Sequence, residues 1–155
     1  MWNKDKSVLA SIVTCFAFAV VLTAAVLCGP WAAKLWFITF RGMNENSAEL
    51  QRLLTTFAVC FYTCVPCAYT ALFFLLKLLF NIKREETFVK ENVKCLRWIS
   101  WCCLVVALIT GVGGCVYTPF WFIAIAAAFV GLLLRVVKNV MHSAVKIKKE
   151  NELTI

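Results

Sequence analysis

Residues 53–79 read LLTTFAVCFYTCVPCAYTALFFLLKLL, 27 residues without an acidic side chain and with one basic side chain, Lys77, near the end. A helix needs about 20 largely apolar residues to cross the roughly 30 Å hydrocarbon core of a bilayer. This stretch exceeds that length, so it is expected to be a transmembrane helix. Within it Leu53, Phe57, Cys60, Cys64, Cys67, Ala71, Phe74 and Leu78 recur at steps of four and three, a heptad seam along one face. Helices in lipid associate by close packing, and small residues let their backbones approach. Cys60, Cys64, Cys67 and Ala71 are therefore expected to be helix-packing residues. Pro66 lacks a backbone donor and frees the Tyr62 carbonyl, so a bend is expected there, with the Thr63 and Thr70 hydroxyls as donors to that carbonyl.

Three more windows, 8–27, 96–116 and 119–137, meet the same length requirement. The whole chain of 155 residues is 63% hydrophobic with a mean hydropathy of +0.84, whereas soluble domains are about half apolar. The expected architecture is all-α: a single membrane domain over 1–155, a four-transmembrane-helix bundle with a cytoplasmic helix and tail over 138–155. Lys4 and Lys6 precede the first window as in a secretory signal. It is read as a retained span, because it is longer than a signal core and runs into Gly29-Pro30-Trp31 rather than a small-x-small cleavage site. The following WAAKLWFITFRGMNENSAEL (31–50) is expected to lie in the outer interface, since Trp31, Leu35, Trp36, Ile38 and Phe40 are too apolar for a free loop. Asn46 and Glu49 have capping-box spacing, which starts the second helix near Ser47. Gly111, Gly113 and Gly114 lead into a tight turn at Tyr117-Thr118, and Pro119 opens the fourth helix. Small-residue pairs Ala124/Ala128 and Ala127/Gly131 on that helix, and Ile99, Cys103, Val106, Thr110 and Gly113 on the third, are expected to complete the packing.

The formal charge is +8. Of the basic residues only Lys34, Arg41 and Arg52 lie in the first connection and none in the third; the rest cluster before the first span, around the second connection and after the fourth span. By the positive-inside rule both termini face the cytoplasm. Anionic lipid accounts for basicity distributed in this way, so direct nucleic-acid binding is not expected. No polar stretch is long enough to bury the core of a soluble catalytic domain.

Cys64-Val65-Pro66-Cys67 has the spacing of a thioredoxin-type dithiol, and a membrane thiol-disulfide oxidoreductase using Cys64 and Cys67 is the rival to the packing reading. Reactive dithiols sit at helix N-termini, where the dipole favours the thiolate; these lie deep in an apolar helix. A metal centre lacks ligands, since His142 is the only histidine and falls outside the windows. Cys28 and Cys115 both fall near the outer surface and can form a disulfide only if the first and third helices are neighbours. A small oligomeric channel or exporter needs polar groups along a pore, with Tyr62, Thr63, Thr70 and Thr110 as the candidates. No Ser/His/Asp set, paired carboxylates or phosphate loop is present, so no catalytic, cofactor or metal residue is assigned and no enzyme activity is expected.

ETFVKENVKCLRWISWC (86–102) and KKENELTI (148–155) resemble a bacterial family of small integral membrane proteins known as domain of unknown function 2975. The matching positions are Asn92, Leu96 and Arg97, then Glu150, Asn151, Leu153, Thr154 and Ile155. Family members commonly carry Ser or Thr as a helix cap where this chain has Val89. The resemblance implies four spans, a bacterial inner-membrane location, no enzyme activity, and frequent encoding beside a small helix-turn-helix regulator. Both motif stretches fall on the cytoplasmic side by the charge rule. The expected function is therefore a non-enzymatic regulator or sensor that docks a cytosolic partner through Arg84, Glu91, Asn92, Arg97, Glu150, Asn151, Leu153, Thr154 and Ile155. Ion pairs of Glu85, Glu86 or Glu91 with Lys146, Lys148 or Lys149 would join the two stretches. Lipid, a cytosolic transcription regulator and a second copy of the chain are the partners considered.

Overall fold

The computed structural model describes residues 4–84 and 89–152, the side chains at 4–7 and 151–152 excepted. It contains four helices: α1 Lys4–Arg41, α2 Ala48–Lys83, α3 Lys90–Gly114 and α4 Pro119–Glu152. All four are long and apolar enough to cross a membrane. With 38, 36, 25 and 34 residues they run roughly 57, 54, 38 and 51 Å at 1.5 Å per residue, each more than the roughly 30 Å of hydrocarbon. They therefore tilt or project.

The first connection differs from expectation. Residues 31–41 are not a separate segment but continue α1 through Pro30. A proline inside a helix leaves the carbonyl four residues earlier without its donor, here that of Val26. The Tyr62 hydroxyl of α2 donates to the Val26 carbonyl at 3.3 Å, so the neighbouring helix supplies what Pro30 removed. Gly29 lets this contact form, because a Cβ there would stand 3.3 Å from the Phe61 ring. Beyond it, Ala33 and Phe37 are buried against Leu50 and Leu53, with Ile38, Met43 and Tyr117 packed around them. The apolarity of the segment is thus partly consumed by helix packing, although Trp31, Trp36 and Phe40 remain exposed. Gly42, at φ 59°, takes the left-handed conformation that stops α1.

α2 starts where expected, but by a different device. The Ser47 hydroxyl accepts from the Leu50 N–H at 3.2 Å, so Ser47 is the N-cap and Asn46 does not form a capping box. Every position of the heptad seam from Leu53 to Leu78 is buried or half-buried. Thr63 donates to the Val59 carbonyl at 2.7 Å, not to that of Tyr62. α3 begins at Val89 without a side-chain cap, in keeping with Val in place of Ser or Thr. The turn into α4 is closed by the N–H groups of Val116 and Tyr117, which both donate to the Gly113 carbonyl at 3.0 Å.

Helices adjacent in sequence are adjacent in space: α1 packs on α2, α2 on α3 and α3 on α4, while among the described residues α1 packs on neither α3 nor α4. Cys28 and Cys115 are accordingly free thiols, because the helices that a disulfide between them requires are not neighbours. α3 is the most enclosed element, with Asn92, Val93, Cys95, Leu96, Ile99, Ser100, Cys102, Thr110, Gly113 and Gly114 buried. At the turn end, the ring contact of Phe37 with Tyr117 ties α1 to the turn before α4, and that of Phe57 with Phe120 ties α2 to the first turn of α4.

Candidate functional site at the basic end of α3 and α4

The short turn after α3 makes α3 and α4 an antiparallel hairpin, which brings the start of α3 and the far part of α4 to one end of the molecule. α4 is longer than α3 by nine residues, about 14 Å of helix. α2 is fastened to this end by polar contacts. Asn92, 0% exposed, accepts a 2.7 Å hydrogen bond at Oδ1 from Nδ2 of Asn81. Lys77 pairs with Glu91 at 3.4 Å, a partly exposed contact of small energetic weight.

Between α3 and α4, Ser100, 1% exposed, donates to the Gly131 carbonyl at 2.8 Å. That approach relies on a glycine, because a Cβ at Gly131 would stand 3.2 Å from Leu104 and 3.3 Å from Cys103. Outside this contact, Arg97, Ser100, Trp101, Arg135, Lys138 and Asn139 line a cavity of about 310 Å³. The Arg135 guanidinium lies over the Trp101 ring, with Cζ 4.8 Å from its centroid. Among the described residues, no carboxylate pairs with Arg97, Arg135 or Lys138. Trp101 and Arg135 also line the head of a second, larger and almost wholly apolar cavity of about 790 Å³ that runs along the same helix pair to Cys115.

The expected partner-binding residues separate on inspection. Arg97 is exposed and belongs to the basic cup. Arg84 is exposed just past α2, its N–H bonded to the carbonyls of Phe80 and Asn81. Asn92 is not at the surface at all: it is a fully buried lock between α2 and α3, and a partner cannot reach its side chain. Glu91 turns to Lys77 rather than to the lysines of α4, and Lys146 pairs at 3.8 Å with Glu150 on its own helix. Asn151 falls within α4, which continues to Glu152. Its side chain, the residues Leu153, Thr154 and Ile155, and the loop carboxylates Glu85 and Glu86 lie outside the described residues.

Of the packing residues, Cys60 is buried with its Sγ 2.7 Å from where a Cβ on Gly113 would be. Cys64, Cys67, Ala71 and Ala127 are half-buried, and Gly131 is buried. Among the described residues, no three His, Cys, Asp or Glu side chains gather as a metal set. Asn81, Ser100, Trp101, Arg135 and Lys138 were not singled out as a site by the sequence. Arg97 and Arg135 are nearly equidistant from the turn between α3 and α4, and that register is the signal that unites them.

A family model described as "Protein of unknown function (DUF2975)" matches residues 38–155. That is most of the chain, and the chain belongs to this family. No curated protein and no solved structure matches it.

Proposed function

We propose that this family member is a non-enzymatic regulatory protein of the bacterial cytoplasmic membrane, with both termini in the cytoplasm, and that its basic end docks a soluble partner such as a helix-turn-helix regulator. The observation that carries the reading is the far part of α4. Arg135 and Lys138 mark a basic boundary about 16 residues and more into a helix of 34 residues, so its remainder exceeds what the bilayer needs. On that remainder Val140 and Ile147 are 64% and 58% exposed, among Lys146, Lys148 and Lys149. Apolar side chains presented beyond the lipid gain by being covered, and lysines around them favour an acidic rim on whatever covers them. Orientation rests on the asymmetry of Lys and Arg between the two ends of the helices.

Photo-crosslinking side chains placed at Val140, Ile147 and, as a lipid-facing control, Leu132 test this in living cells. The expected result is one soluble protein joined at positions 140 and 147, absent at 132 and lost on Ile147→Asp. Lipid adducts alone at all three positions would refute the docking surface, and a C-terminal reporter active outside the cytoplasm would refute the orientation.

A further inference from the structure

We propose that the α3–α4 face is a binding site for one anionic phospholipid, its phosphate held by Arg97, Arg135 and Lys138 and one acyl chain lying in the groove between Trp101 and Cys115. This goes beyond the docking reading and does not depend on it, since the site lies on the lipid-facing side of the hairpin and not on its projecting end.

The cup and the groove adjoin. Trp101 and Arg135 line both cavities, so the place where charge gives way to hydrocarbon is a single residue pair. The Trp101 ring fixes the Arg135 guanidinium at that boundary through its π face. An arginine so placed presents a planar fork to phosphate oxygens, and Arg97 and Lys138 add two more cations that no carboxylate among the described residues neutralises. Basic pockets between transmembrane helices at the cytoplasmic side suit anionic headgroups for this reason.

The groove exists because its floor is made of small residues. Ala107 and Gly111 on α3 face Ala124 and Ala128 on α4, and a Cβ added at Gly111 would meet only the Ala124 Cβ, at 3.9 Å. From Trp101 to Cys115 the groove follows roughly 21 Å of helix at 1.5 Å per residue, against about 15 Å for half of the hydrocarbon core. It is long enough for the acyl chain of a lipid whose headgroup sits at the basic end. A soluble phosphate would use the cup and leave the groove empty, so the groove selects lipid over a free anion.

Native mass spectrometry of the full-length protein in a non-ionic detergent, with dioleoyl phosphatidylglycerol or dioleoyl phosphatidylcholine added, tests the site. Phosphatidylglycerol is expected to be retained in preference to phosphatidylcholine. With about fivefold lost per cation removed, Arg135→Gln with Lys138→Gln weakens that retention roughly thirtyfold. Gly111→Leu fills the groove and lowers retention with every cation in place, and Arg41→Gln at the turn end leaves it unchanged. If the double variant does not fold, Arg97→Gln and Gly111→Leu report on the same site from its two ends. Equal retention of the two lipids, or unchanged retention in the cup and groove variants, overturns the proposal. Displacement of phosphatidylglycerol by inorganic phosphate, with Gly111→Leu silent, assigns the cup to a free anion and overturns the lipid reading.

Discussion

The Tyr62 hydroxyl donates to the Val26 carbonyl at 3.3 Å, and Val26 is the residue whose carbonyl Pro30 leaves without a helical donor. This one contact explains how α1 continues through a Gly-Pro pair. Tyr62→Phe is expected to lower stability in detergent by about 0.6–1.7 kcal/mol, the range of interhelical hydrogen bonds in membranes. Pro30→Ala restores the backbone donor, so in that background the same change should cost much less. Equal losses in the two backgrounds, measured by thermal unfolding, would show that the hydroxyl serves another purpose.

Asn92 is fully buried and bonded to Asn81. Asn92→Ala is expected to cost about 1–3 kcal/mol, because it empties a fully buried position and leaves the half-buried Asn81 amide without its acceptor. Replacing both Asn81 and Asn92 by Leu should recover a large part of that loss, since no polar group of the pair then remains buried. A neutral Asn92→Ala variant would mean that the α2–α3 junction is held by other contacts.

Gly113→Ala brings a Cβ to 2.7 Å from the Cys60 Sγ and 3.0 Å from the Phe120 ring. Overpacking of this kind costs about 1–3 kcal/mol. Cys60→Ala removes the sulfur from the clash, so the double variant should be less destabilised than the sum of the single ones; strict additivity in thermal melts would contradict the role of sulfur as filler between α2 and α3.

Cys64 lies 16 residues from the start of α2 and 19 from its end, roughly 24 and 28 Å, so neither helix terminus can activate it. A membrane-impermeant maleimide should label exposed Cys115 at the turn and leave Cys64 and Cys67 unmodified until the protein is denatured. Rapid labelling of Cys64 in intact membranes would restore the dithiol reading.

Lys34 bonds to Glu45 and holds its carboxyl below the usual carboxylate range, first through the hydrogen bond and then through charge. A carboxylate with a lowered folded pKa contributes stability above its unfolded pKa and loses it as pH falls through the folded value. The gap in melting temperature between wild type and Glu45→Gln should therefore be present at neutral pH and close in acid. A gap independent of pH would exclude this pair as its source.

The residues alone settled the number of helices, their apolar length and the face of α2 that packs. Those follow from local rules: the bilayer requires about 20 apolar residues per crossing, and a heptad seam of Cys and Ala can face only another helix. The turn at Tyr117-Thr118 was legible for the same reason, whereas the absent cap at Val89 was legible only from the family resemblance. What remained hidden depended on which residue stands opposite which. Continuation of α1 past Pro30 requires a donor 32 residues away, and burial of Asn92 requires Asn81 across a helix junction. Neither partner carries a periodic signal. The basic cup likewise looked like part of a topology signal until the antiparallel register of α3 and α4 placed Arg97, Trp101, Arg135 and Lys138 around one cavity. Charge placement along a chain is one-dimensional, whereas convergence of charges on a site is fixed by helix pairing.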